Sequence, residues 1–164
     1  MYNIGREVIY LNSKVFSFTV KKKKEGIIMS NLAIFNKNSE ETVLLGRTMK
    51  TMEEKMMLAN ATTNPDYKLS QFINRQLYLT NYYLERVTIN REDGTSYEAI
   101  RTVLFDKDGK TYNCVSNGIP QALKSFISIF GSADQWSEPL PVVVEQVERG
   151  RGRMLTLRVG YLQE

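Results

Sequence analysis

From Gln76 to Ser116, apolar and polar residues alternate in three runs. The spacing predicts a long first strand over residues 76–90, a second over 97–105 and a third over 111–116. Glu92-Asp93-Gly94-Thr95 and Lys107-Asp108-Gly109-Lys110 separate them. Asp-Gly between apolar runs favours a tight hairpin turn, because glycine accepts the left-handed backbone the turn needs. Side chains alternate faces along a strand. The odd positions of the first run, Leu77, Leu79, Asn81, Tyr83, Glu85, Val87 and Ile89, supply a mostly apolar core face. The even positions put Tyr78, Tyr82 and Arg86 in one row on the opposite face.

After Ser116 the period changes. Ile119, Leu123, Phe126, Ile127 and Phe130 recur at helical spacing, Pro120 falls in the first turn and Gly131 marks the stop. One amphipathic helix therefore spans residues 117–131. Leu140 to Val147 and Met154 to Tyr161 then alternate as a fourth and a fifth strand. The turn between them, Glu148 to Arg153, spaces Arg149, Arg151 and Arg153 with glycines. Upstream, residues 29–75 read as an N-terminal arm. Short apolar runs, Leu32–Phe35 and Thr42–Leu45, flank the polar Asn36–Glu41 and predict a small hairpin or extended arms. Thr51-Met52-Glu53-Glu54 has the form of a capping box and predicts a short helix carrying Met49, Met52, Met56 and Met57, methionines suited to filling gaps in a core. Residues 60–66 form a loop, and residues 67–74 fit either a short helix or a lead-in to the first strand.

Composition removes more than it adds. The chain of 164 residues has no histidine and a single cysteine, Cys114. Serine or cysteine nucleophiles activated by histidine, histidine general bases, and histidine or multi-thiolate metal sites are therefore excluded. The acidic residues fall mainly in turns, so no catalytic constellation and no cofactor site emerges. One cysteine makes no internal disulfide, and no apolar run reaches the roughly 18 residues a membrane helix needs. The net charge of +4 is local. Residues 1–28 hold six basic and two acidic side chains, and residues 29–164 hold sixteen of each. Only the local placement of charge inside the domain can favour a polyanion.

Residues 1–28 carry a further peculiarity. Lys23-Lys24-Glu25-Gly26, a few residues before Met29, back-translates to a string containing AAGGAGG, a bacterial ribosome-binding site. The expectation is that translation starts at Met29 and that residues 1–28 are an over-extended reading frame. A basic tail for a membrane surface or nucleic acid is the competing reading. A cleaved signal fits less well, because the lysines follow the apolar run Val8–Val20. An intact mass from the native source distinguishes them, and a mass including Met1 defeats the late start.

Strand, strand, strand, helix, strand, strand is the element order of the OB-fold, a five-stranded, partly open barrel. The predicted architecture is thus mainly β, an OB-like barrel over residues 76–164 preceded by the arm or small helix of residues 29–75. Such barrels bind oligonucleotides across strands two and three, bounded by the first hairpin loop and the loop between strands four and five. Those loops are here residues 91–95 and the arginine turn. Unpaired bases stack on aromatic rings, and cations meet the phosphates. Tyr78, Tyr82, Arg86, Arg149, Arg151 and Arg153 are candidates on that ground, with Trp136 as an exposed ring or a rim residue, and Tyr97 and Arg101 on one face of the second strand. The same tyrosines also suit an ordinary strand.

The run Thr102-Val-Leu-Phe-Asp-Lys-Asp-Gly-Lys-Thr-Tyr-Asn-Cys-Val-Ser116, the helix after it, Pro141-Val-Val-Val and Arg153-Met-Leu-Thr-Leu-Arg158 together resemble the small single-stranded DNA-binding proteins of protein-primed phages of Gram-positive bacteria. The resemblance covers about residues 76–162, and residues 29–75 depart from it. It implies an OB-like fold and the coating of displaced single-stranded DNA during phage replication in the host cytoplasm. It further implies no enzymatic activity, replication proteins as further partners, and tyrosine stacking with Tyr112 as the best-matched ring. Self-association through residues 29–75 is an additional expectation. An OB-like protein-interaction or virion structural module and an RNA-binding OB module are the alternatives.

Overall fold

The computed structural model describes residues 43–150 and 152–162. The expectations for residues 1–28, for Leu32–Phe35 and for Arg151 fall outside the described residues. Seven strands and two helices follow in order: β1 (Val43–Leu45), α1 (Met52–Thr63), β2 (Tyr67–Lys68), β3 (Gln76–Asn90), β4 (Ser96–Asp106), β5 (Thr111–Val115), α2 (Gly118–Phe130), β6 (Leu140–Arg149) and β7 (Gly152–Val159). A 3-10 turn, Leu69–Phe72, links β2 towards β3, and another, Ala133–Gln135, follows α2.

The strands form one mainly antiparallel sheet in the order β2-β5-β4-β3-β6-β7. β3 is its spine. One edge of β3 pairs with β4 over nearly its whole length, and the other pairs first with β6 and then with β1. The sheet curls into a half-barrel. Along it, β3 to β7 and α2 follow the predicted order. The strands added to that prediction are β1 and β2, from the segment set apart as an arm. β1 is the expected extended arm, laid against Tyr83–Glu85, and β2 runs parallel to β5.

β3 contains a bulge. Leu79 pairs with Asp106 and Asn81 with Phe105, which leaves Thr80 as the extra residue. An extra residue reverses the alternation of faces. Leu77 and Leu79 are buried before it, whereas Tyr82 and Leu84 are buried after it. The expected apolar odd row therefore holds only as far as Leu79, and the row of Tyr78, Tyr82 and Arg86 does not exist on one face. Asn81 fastens the irregularity. Its side-chain oxygen accepts the Arg47 N–H at 2.7 Å and the Tyr82 N–H at 2.9 Å, and its amide donates to the Arg47 carbonyl. These bonds satisfy a side chain that is otherwise buried.

α2 fills the concave side of the half-barrel. Ile119, Leu123, Phe126 and Ile127 join Leu77, Leu79, Tyr82, Leu84, Leu104, Tyr112 and Val142 in one core. Burying such a side chain contributes about 1.5–3 kcal/mol before entropy is counted. Among the described residues β5 and β7 share no ladder. The Ser116 hydroxyl instead donates to the Leu155 carbonyl at 2.9 Å, and Gly118 lies against the same carbonyl with no room for a Cβ. α1 lies on the convex side. The predicted capping box is present: Thr51 Oγ1 accepts the Glu54 N–H, and the Glu54 carboxylate accepts the Thr51 N–H, each at 3.1 Å. Only Ala61 of α1 is buried, over Val103 and Phe105. Met52, Met56 and Met57 are exposed, and Met49 precedes the helix, so these methionines do not fill the core as expected.

Candidate nucleic-acid interface

Tyrosine serves two roles here, set by position. Tyr82 is 0% exposed, between Trp136 and Gly46, where a Cβ would strike its ring. Burial, with the charge of Asp134 a smaller contributor, holds its hydroxyl well above the usual phenol range. Tyr112 is 2% exposed. Its hydroxyl donates to Asp106 Oδ2 at 2.6 Å, and burial first and this carboxylate second raise its pKa. Neither ring presents a face to a base. Both depart from the expectation that they stack on DNA: the bulge turns Tyr82 inward, and the β2–β5 pairing covers Tyr112.

Among the described residues, four rings at or near the surface carry cations, whereas the exposed Phe130 and Tyr161 do not. Tyr67, 37% exposed, stacks on Tyr112 with centroids 5.6 Å apart and an interplanar angle of 26°. Phe72 meets both rings edge-on, at 5.3 Å and 4.8 Å. Lys110 Nζ is 6.0 Å from the Tyr67 ring, and the Arg75 guanidinium is 5.6 Å from the Phe72 ring. Tyr78 is half-buried, and Lys107 Nζ stands 4.2 Å from its ring. The Tyr78 hydroxyl accepts a hydrogen bond from Gln76 Nε2 at 2.8 Å. Tyr97, 42% exposed at the β3–β4 tip, has the Arg91 guanidinium 4.7 Å away. Such pairs attract because the ring face is electron-rich.

The remaining candidates are dispersed. Arg86 lies beyond the bulge, opposite Ile100 and away from Tyr78. Arg101 is ion-paired with Glu85 across the β3–β4 ladder, on the face that also carries Tyr97. Trp136 is half-buried as a rim residue; its indole N–H donates to the Gly131 carbonyl at 3.0 Å, and its ring lies 6.0 Å from Tyr82. Arg149 and Arg153 are exposed, but they belong to the strands. Arg149 pairs with Gly152 and Arg153 with Glu148, so they point to opposite faces of the ribbon.

Tyr67, Phe72, Arg75, Arg91, Lys107 and Lys110 did not emerge as site residues from sequence. For the lysines a signal existed. They bracket the Asp-Gly turn beside Tyr112, and a turn places its end residues at the surface.

Two clefts near these groups accompany a further one of about 260 Å³ lined by residues that include Thr80, Asp106 and Lys107. One of about 320 Å³, lined by Lys68, Ser70, Asn113, Cys114, Val115 and Leu155, runs beside the end of β5 that extends past its pairing with β2. Burial pushes the Cys114 thiol there up to about 12, which keeps it protonated and unreactive. The other, about 410 Å³ under α1, is lined by residues that include Glu53, Met56, Met57 and Asp66 but no cation, a poor seat for phosphate. Among the described residues no group of three or more histidine, cysteine or carboxylate side chains is placed to hold a metal, and no helix is long and apolar enough to cross a membrane.

A family model described as phage single-stranded DNA-binding protein matches residues 36–160. The match takes in residues from 36 to 75 that the sequence had set apart. No curated protein and no solved structure matches the chain.

Proposed function

The chain belongs to the phage single-stranded DNA-binding protein family, and from that premise we propose that it coats single-stranded DNA during phage replication by sequence-tolerant stacking and phosphate contact. Its role is binding without catalysis. The observation that carries the contact chemistry is the pairing of surface rings with cations: Tyr67 with Lys110, Tyr78 with Lys107 and Tyr97 with Arg91. A base offers a π-face to the ring, and the flexible cation swings from the ring to the adjoining phosphate. Neither partner reads a base edge, which gives tolerance of sequence. Each stacked base contributes about 1–3 kcal/mol.

Arg149 and Arg153 add phosphate contacts from the β6–β7 ribbon. The OB-like reading of the half-barrel draws its support from β5-β4-β3-β6-β7 with α2 inside. Displaced strands arise inside the infected bacterium, which is where this protein acts. Replication proteins are its further partners, and a second copy meets it through residues 29–75, where the exposed α1 methionines supply apolar surface.

A titration with a thymidine oligonucleotide, followed by intrinsic fluorescence at two salt concentrations, tests the proposal. Quenching with an affinity that falls at higher salt is the expected result. Absence of quenching and of a gel shift overturns it. Tighter binding of RNA of the same sequence redirects it to RNA and to contacts with the 2′-hydroxyl.

A further inference from the structure

The β4–β5 turn, Lys107-Asp108-Gly109-Lys110, is fastened by one carboxylate. Asp106 is 8% exposed. Its Oδ1 accepts the backbone N–H of Asp108 and that of Lys110, both at 2.9 Å. Its Oδ2 accepts the Tyr112 hydroxyl. The main chain closes around the same residue. The Asp106 N–H donates to the Lys110 carbonyl at 3.0 Å, the Gly109 N–H donates to the Asp106 carbonyl at 3.2 Å, and the Lys107 N–H donates to the Tyr78 carbonyl at 2.9 Å. Gly109, at φ 75°, supplies the left-handed step.

These bonds set where two ammonium groups emerge. Lys107 leaves one end of the turn over Tyr78, and Lys110 leaves the other end over Tyr67. Among the described residues no carboxylate lies within ion-pair distance of either lysine. Asp106 is occupied by three donors, so it orients the lysines without neutralising them. Tyr67 stacks on Tyr112, on the face that carries Leu77 and Leu79, and Tyr78 lies between those two leucines and points to the opposite face, so the turn carries one ring and one lysine towards each face.

We infer that this turn is a two-phosphate clamp for single-stranded nucleic acid, flanked by a stacking ring on each side, with Asp106 as the positioning residue that holds both lysines ready. The inference rests on the strand-binding reading and adds to it a defined subsite. Pre-setting the turn removes ordering cost at the moment of binding.

The test measures how the binding constant for the thymidine oligonucleotide depends on salt, for the full chain and for two variants. For single strands the slope of log K against log salt changes by about 0.7 for each phosphate contact. Lys107→Gln with Lys110→Gln changes only exposed side chains and is expected to lower the slope by about 1.4, two contacts. Asp106→Asn is expected to lower the slope in the same direction and to add little in the background of the double variant. A merely structural role for Asp106 reduces the fraction of active protein and leaves the slope as in the parent, and that result overturns its positioning role. An unchanged slope in the double lysine variant, which does not depend on Asp106→Asn folding, overturns the clamp. A parent protein that binds no oligonucleotide overturns the strand-binding reading itself, which is a different failure.

Discussion

Tyr67 and Tyr112 are stacked neighbours on adjacent strands, yet only Tyr67 has a face turned to solvent. Tyr78 and Tyr82 repeat the contrast within one strand, one half-buried beneath a lysine and the other sealed between Gly46 and Trp136. The residue type is constant, so the difference comes from what covers each ring. A buried tyrosine contributes core volume; the Tyr112 hydroxyl bonds Asp106, whereas the Tyr82 hydroxyl is buried with no hydrogen-bond partner among the described residues. A surface tyrosine keeps a π-face for a ligand. Loss of a tyrosine of the first kind is therefore expected to show as loss of fold, and loss of one of the second kind as loss of binding alone.

The largest effect expected from breaking this contrast is at Tyr82. Tyr82→Ala should cost about 3–5 kcal/mol of stability, the usual range for emptying an aromatic core site. Urea unfolding measures it, and a loss below about 1 kcal/mol would mean that the ring is not part of the core. At the surface, Tyr67→Ala and Tyr78→Ala should each weaken oligonucleotide binding by about 1–3 kcal/mol. Their melting temperatures should stay close to that of the parent, and a weakened fold with unchanged binding would reverse the assignment of roles.

Alkaline pH separates the two kinds without mutation. Burial raises the hydroxyls of Tyr82 and Tyr112 and the thiol of Cys114 above their ordinary values. The unfolded chain releases these protons first, so it binds fewer of them than the folded state, and stability falls as pH rises. The loss should begin near about 8.5 for the thiol and about 10 for the phenols. It should continue towards the folded values, about 12 for Cys114. Urea midpoints at neutral and alkaline pH measure it, and a midpoint that rises with pH would contradict the burial of these groups. The smallest effect is expected at the β6–β7 ribbon. Arg149→Gln and Arg153→Gln should each lower the salt slope by at most about 0.7, because the two side chains point to opposite faces and one strand need not meet both.

Much of this fold was legible. Alternation and turn chemistry fix β3 at its observed bounds and β4 to β7 within a residue or two. α2 follows because its apolar residues keep helical spacing and Gly131 stops it. The faces of β3 were not read correctly, although the chain held a warning. Asn81 and Glu85 sat in the supposed core row, and the step from Leu79 to Tyr82 is three residues rather than two. A polar residue in an apolar row signals either a buried network or a slip of phase, and here it signals both. β1 and β2 are too short to show a period, and their partners lie far along the chain. The burial of Tyr112 depends on that distant pairing, so local pattern did not carry it. The Asp106 turn was half legible. Aspartate opening a turn with glycine three residues on is favourable chemistry, but the Tyr112 bond that completes it is tertiary.

The bulge at Thr80 has a consequence for how the chain tolerates changes of length. Either side of it, β3 obeys opposite parity: odd residues face the core before it and even residues after it. Deleting Thr80 would merge the two halves into one parity. Leu77, Leu79, Tyr82 and Leu84 would then stand at alternate positions of one regular strand and keep a common face, whereas deleting Tyr83 would set Leu84 against Tyr82 and force part of the row into water. A residue inserted at the β3–β4 tip, between Asn90 and Ser96, alters no parity in the core. Length variation in this protein is therefore expected to be permitted at the tip and at Thr80, and forbidden between Tyr82 and Leu84.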